Sequence, residues 1–146
     1  MEKGSPSIVV ACDGSEQSSG AAKMAAELAK ATGQPLKLVS VYPYSKSSTL
    51  VVAGVEHSKI EAEKQKYGRE VFDAAKEAMD KEVPVAEEVL LHGDPAHEIL
   101  EYMQGHPGTH LVLGRRGHSM VRSLTLGSVS EKIVRHAVGP VTVVGA

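Results

Sequence analysis

Cysteine is nearly absent from this chain: Cys12 is its single thiol. No intramolecular disulfide is possible, which suits a reducing, cytoplasmic compartment. Tryptophan is missing altogether, and four Tyr and one Phe are the only other aromatics. Platforms on which single-stranded nucleic acid could stack are therefore not expected. Charge of one sign is not in excess either, with 16 Lys and Arg against 18 Asp and Glu, so nothing implies general affinity for nucleic acid. Long apolar runs are lacking: the first, Ile8-Val-Val-Ala11, is far too short for a signal peptide or membrane span. Linkers, repeats and low-complexity tracts are also missing, and 146 residues fit one domain, 1–146, able to bury a substantial core.

Several chemistries fall away for the same reason. No Gly-Lys-Ser/Thr stands at Walker A distance from a glycine. The first apolar run is not followed by Gly-x-Gly-x-x-Gly, and the second ends in Tyr42 rather than an acidic residue, against a dinucleotide dehydrogenase. Gly117-His-Ser119-Met-Val121 lacks the second glycine of a nucleophile elbow. His106 and His110 are spaced like metal ligands, but Pro107-Gly108 lies between them and no Cys or carboxylate cluster is near.

What is present is an alternation of strand and helix signals. Ile8–Cys12 reads as a buried strand of the kind parallel sheets use. Asp13-Gly14-Ser15 follows, with Ser15 as N-cap of a helix running to Thr32, stopped by Gly33 and Pro35. Its Ala21, Ala25 and Ala29 suit close packing on a sheet. Leu36–Tyr42 is a second strand, and residues 43–55, with Tyr44 and a Ser/Thr cluster, read as a long loop of the functional sort. Residues 56–81 form a long helix whose outer Glu and Lys are solvated, though Gly68 weakens the pattern. Val85–Leu91 is a third, edge-like strand carrying Glu87 and Glu88. Asp94 as N-cap and Pro95 at the first helical position open the next helix, which supplies Ile99, Leu100 and Met103 to the core. Thr109–Leu113 and Val141–Val144 complete five strands around a last helix, Val129–Ala137. The pattern predicts an α/β, doubly wound, five-stranded parallel sheet in a three-layer sandwich. Ligands of such sheets bind beyond the strand C-termini, where strand order reverses. Asp13, at one such end, is a turn cap or a ligand contact.

The most informative stretch follows the fourth strand: Gly114, two residues, Gly117, nine residues, Gly127, then Ser128. Glycines let the main chain approach an anion, and a helix N-terminus adds free amides and its dipole. Ser128 and Glu131 have capping-box spacing, with Ser128 as the expected N-cap. Arg115, Arg116 and Arg122 could add phosphate charge or serve only solubility; His118 could meet phosphate or face solvent. Cys12, with no cationic neighbour in sequence, is read as packing rather than as a redox sensor.

These residues resemble the ATP-binding type of the universal stress protein family, and the likeness covers essentially the whole chain. It rests on the glycine signature, on Asp13-Gly14-Ser15 after the first strand, on the Gly93-Asp94-Pro95 turn, on Leu126-Gly-Ser-Val-Ser130, and on Pro140-Val141. Two positions depart: His110 stands where an acidic residue is usual, and Gly139 where many members have Cys. The resemblance implies strand order 3-2-1-4-5 and a Rossmann-like or flavodoxin-like nucleotide-binding domain. It places Asp13 and the backbone around Val41 at the adenosine end of ATP, with Gly114, Gly117, Gly127, Ser128 and Ser130 on ribose and phosphates. Ala11, Cys12, Leu113, Arg116 and Val129 complete the implied nucleotide-binding set. AMP or ADP are other ligands, and Mg²⁺ could be held through the phosphates with help from Asp13.

The implied role is a stress-response regulator that binds adenine nucleotide with slow or no turnover. An ATPase or phosphotransferase using the same site is the alternative, and a flavin or adenylate carrier a third reading. No catalytic residue stands out. A homodimer is expected through Pro140–Val144, an apolar strand that would be a sheet edge guarded only by its proline. No nucleic-acid or membrane partner is expected.

Overall fold

The computed structural model describes residues 5–115 and 126–145. The chain order is β1 (Ser7–Ala11), α1 (Glu16–Thr32), β2 (Leu36–Pro43), α2 (Tyr44–Val52), α3 (His57–Ala78), β3 (Val85–Gly93), α4 (Pro95–Gly105), β4 (Thr109–Gly114), α5 (Ser128–His136) and β5 (Val141–Val144). All four strand pairings are parallel, in the order β3-β2-β1-β4-β5. The doubly wound sheet expected from the alternation is thus the fold.

β1 is central and buried on both faces, with Ile8, Val9 and Val10 at most 1% exposed. Its side chains alternate between two cores. Ile8 and Val10 pack with the alanines of α1 and with Val71, Phe72 and Ala75 of α3. Val9 packs on the other face with Ile99 and Met103 of α4 and Ile133 of α5. Two helices therefore cover each face. Full burial of each such valine or isoleucine stabilises by about 1.5–3 kcal/mol.

α1 begins at Ser15, whose Oγ accepts from Ser18 N at 3.1 Å. Its buried stripe is Ala21, Ala22, Ala25, Ala26 and Ala29, so the helix lies unusually near the sheet. Gly114 is the point of closest approach: a Cβ there would stand 2.9 Å from the Gln17 carbonyl oxygen. Gly68 has a similar cause. It is buried on α3, where a Cβ would meet Leu90 of β3 at 2.8 Å. The residue that weakens α3 as an isolated helix lets it sit on the sheet. As expected, Asp94 caps α4, accepting from His97 N at 3.0 Å, with Pro95 in the first turn.

Two expectations require correction. Residues 44–52 are helix, not loop. The Ser/Thr cluster that looks like loop chemistry bonds back into the helix: Ser47 Oγ donates to Tyr44 O at 3.0 Å, and Thr49 Oγ1 to Ser45 O at 2.8 Å. The second correction is at α5, whose N-cap is Gly127 and not Ser128, with no side-chain cap. Glu131 N donates to Gly127 O at 2.8 Å, and the Glu131 carboxylate pairs with Arg135 at 3.7 Å, so no capping box forms.

The outer face of α3 is more than a solvated surface. Arg69 grips Glu88 of β3 with both terminal nitrogens, at 2.8 and 3.1 Å, and Lys76 pairs with the same carboxylate. Hydrogen bonds from Arg69 first, then Lys76, pull Glu88 down from 4.5 to about 2, against a burial effect that raises it. A carboxylate whose pKa falls on folding contributes stability above its unfolded pKa and loses it as pH drops through the folded one. Glu88→Gln should therefore destabilise at pH 7 and flatten the loss of stability between about pH 5 and pH 2. Denaturant midpoints across that range would show it. Parallel acid limbs for wild type and variant would refute the assignment.

Candidate functional site

After β1 the chain turns onto one face of the sheet to form α1. After β4 it leads onto the other face, where α5 packs. Adjacent strands whose connections part in this way leave a crevice beyond their C-terminal ends. Here it is a cavity of about 350 Å³, the size of a small-molecule site. Ala11, Cys12, Asp13 and Val41 line it from β1 and β2, and Leu113 and Gly114 from β4. Gly127, Ser128, Val129 and Ser130 line it from the start of α5. Residues far apart in sequence thus meet as expected. Arg116, Gly117, His118 and Arg122 lie outside the described residues.

The walls divide by chemistry. Val41, Pro95, Ile99, Leu113 and Ile133 form an apolar side continuous with the core beneath α4 and α5. Facing it are Asp13, Ser15 and Ser18 at the start of α1, Ser40, Tyr67 and Lys46. Such a cavity offers apolar surface for a ring together with polar groups for its edge, as small-molecule sites do.

Asp13 is both turn cap and cavity residue. Its Oδ1 accepts from Ser15 N at 2.9 Å, and its own amide donates to Ser18 Oγ at 3.0 Å. Cys12 is 4% exposed, and its Sγ is 3.6 Å from Val10 O. Burial first, then the Asp13 and Glu88 carboxylates, push its thiol far above the ordinary range. It stays protonated and inert, which is the packing reading.

The cavity hydroxyls also build the site. Ser40 Oγ donates to Cys12 O at 2.7 Å, tying β2 to β1 just where β1 ends. Ser130 Oγ donates to Gly114 O at 2.8 Å, tying α5 to the end of β4. Arg115 is not a lining residue; its carbonyl accepts from Gly127 N at 2.9 Å and its amide donates to Val144 O at 2.9 Å. That clamp sets where α5 begins. Gly127 has φ −68° and ψ 163°, an extended conformation open to any residue, so its backbone angles do not require glycine. Gly127 itself offers no side-chain cap, so among the described residues the first amides of α5 can meet an anion, and the helix dipole points the same way.

Sequence reasoning missed Ser40, Lys46, Tyr67, Pro95, Ile99 and Ile133. For Ser40 there was a signal, a lone hydroxyl in an otherwise apolar strand. For Lys46 there was only the length of the 43–55 segment. The two histidines of the metal-like pair have separate partners: His106 Nδ1 pairs with Tyr102 O at 2.8 Å, and His110 Nε2 with Thr142 Oγ1 at 2.7 Å. Among the described residues no group of three His, Cys, Asp or Glu could hold a metal, and no helix is long and apolar enough to cross a membrane. The two departures from the family pattern, His110 and Gly139, are not lining residues.

Comparison with known proteins agrees with this geometry. The model of the universal stress protein family matches residues 5–145. Universal stress protein YxiE of Bacillus subtilis is 33% identical over 143 residues, covering 94% of this chain and 97% of that one. A universal stress protein of Thermus aquaticus is 35% identical over 139 residues, covering 94% and 96%. Among solved structures, hypothetical protein MJ0577 has a TM-score of 0.75 at 19% identity, with 96% of each chain covered. A universal stress protein in complex with cAMP scores 0.65 at 24% identity, with 98% of each chain covered. The Archaeoglobus fulgidus universal stress protein in complex with dAMP scores 0.63 at 20%, covering 94% and 96%. These solved structures share the fold; the family model and the curated relatives establish the kinship, and the chain belongs to the universal stress protein family.

Proposed function

We propose that this protein binds adenine nucleotide, ATP with AMP or ADP as further ligands, and acts as a stress-response regulator with slow or no turnover. One observation carries the reading: a single cavity brings together Asp13, Val41 and the uncapped start of α5 at Gly127–Ser130. Adenosine would lie against Val41 and Leu113 near Asp13, and phosphates would meet the first amides of α5. Two fold neighbours were solved with cAMP and dAMP, which supports an adenylate as the ligand class.

The described lining supports slow turnover. Phosphoryl transfer needs a positioned nucleophile and strong neutralisation of charge. The described lining offers one carboxylate, Asp13, and one ammonium, Lys46, and no histidine. Asp13 alone is no dedicated Mg²⁺ cage, so a bound Mg²⁺ would take most of its ligands from phosphate and water, with Asp13 assisting. We further infer a homodimer through residues 140–144 of the open β5 edge. A cytoplasmic location agrees with the single buried thiol.

The test is calorimetry of wild type and Gly127→Val with ATP and AMP. Wild type should bind in the micromolar range. The variant, whose backbone suits valine but whose side chain enters the phosphate space, should fold and lose binding. Absence of any adenine-nucleotide affinity below the millimolar range would overturn the reading. Hydrolysis at around ten per second, a typical enzymatic rate, would replace it with the ATPase alternative.

A further inference from the structure

Lys46 is the only cation among the described residues that line the cavity. It is brought there by α2, the helix that stands where a loop was expected. Only Ser47 of that helix is buried, and it holds the helix down. Ser47 Oγ gives its hydrogen to Tyr44 O and sits 2.7 Å from His92 Nε2, so the imidazole donates to it. This tether, with Pro43 before it, keeps Lys46 beside Val41 at the C-terminal end of β2. The start of α5, where an anion would sit, enters the cavity from the end of β4.

Lys46 has no carboxylate partner among the described residues, whereas Lys30, Lys37, Arg69 and Lys76 each have one. Its ammonium rests instead 5.5 Å from the centroid of the Tyr67 ring, a weak cation–π contact at an exposed site. The nearby hydroxyls are less free. Ser40 and Ser130 have given their hydrogens to backbone carbonyls. Lys46 is therefore an exposed donor among the residues that line the cavity, held by no carboxylate of the described residues.

We infer that Lys46 reads the base: it leaves Tyr67 and donates a hydrogen bond to a ring nitrogen of adenine, N1, N3 or N7, contributing to base affinity and not to phosphate recognition. The inference rests on the adenine-nucleotide reading above and adds to it the residue that recognises the base edge.

The experiment is titration calorimetry of full-length wild type, Lys46→Met and Lys46→Arg with adenosine, AMP and the 1-, 3- and 7-deaza-adenosines. Lys46→Met should weaken adenosine and AMP by the same factor, roughly 10- to 100-fold, as for loss of one charged donor. Lys46→Arg should keep most of the affinity. One deaza analogue should bind wild type more weakly by a similar factor, and should bind wild type and Lys46→Met alike. A loss confined to AMP overturns the inference, because it assigns Lys46 to phosphate. A loss equal across adenosine and all three analogues overturns it too, because the lysine then acts through α2 and not through the base. Wild type that binds adenosine while Lys46→Met binds it equally well sinks the inference and leaves the adenine-nucleotide reading standing. Wild type that binds none of these ligands ends both.

Discussion

Gly114→Ala will lower stability by about 2–3 kcal/mol, as overpacking of a closed contact does, and the melting temperature by roughly 5–10 °C. The new Cβ would stand 2.9 Å from the Gln17 carbonyl oxygen, 2.9 Å from its Cβ and 3.0 Å from its carbonyl carbon. Backbone cannot swing aside as a side-chain tip can. Relief requires α1 to lift from β4, and the contacts of Ala21, Ala22 and Ala25, all at 0% exposure, lift with it. Gly127→Val, by contrast, leaves this helix–sheet contact intact and should lose only about 1 kcal/mol, the cost of a poorer N-cap for α5. Thermal unfolding of the two variants separates a glycine of the helix–sheet contact from one of the ligand space. A Gly114→Ala protein as stable as wild type would show that α1 accommodates the methyl group without cost.

That contrast shows where the sequence was legible. Gly114 and Gly127 belong to one spaced pattern and look equivalent there. Their difference lies in what approaches each, and Gln17 is nearly a hundred residues away in the chain. Strand and helix order was readable because each element carries its own apolar period and its own stop signals, as with Ser15 at one end of α1 and Gly33 at the other. At the cavity, Asp13 was readable because doubly wound sheets put ligands at strand ends; Gly127, Ser128 and Ser130 were readable from the glycine pattern, and Ala11, Cys12 and Val129 only through the family resemblance. α2 was not readable. Its serines and threonine use in helix the same hydroxyl-to-backbone bonds they use in turns, so composition does not distinguish the two. Lys46, Tyr67 and Ser40 were hidden for a related reason, since their convergence depends on how α2 and α3 lie over β2.

The second large effect is on assembly. Val143→Lys should convert a dimer to a monomer in sedimentation at micromolar concentrations. β5 is the last strand of the order, short and unpaired on one side, and Val143 is 37% exposed. Val129, Val134 and Val138, on α5 and its exit, are exposed as well, at 40%, 44% and 63%. A strand edge with no partner among the described residues favours an isologous contact with a second copy. A lysine at 143 would put two like charges near the two-fold axis. A wild-type protein that sediments as a monomer at high micromolar concentration would refute the dimer.

The parallel order of the sheet also sets when the protein can acquire its structure during synthesis. β1 pairs with β2 within the first 43 residues, but its other neighbour is β4, with Ser7 opposite Thr109. About 70 residues must leave the ribosome between these two events, which takes roughly 4–14 s at typical elongation rates. Throughout that interval the most apolar strand of the protein has one open edge, with Val9 and Val10 on it. Non-local pairing of this kind is slow to form, so the unpaired edge is exposed to aggregation for that time. A truncated product ending before residue 109 would keep β1 in that unfinished state permanently and should aggregate, however well its own helices form.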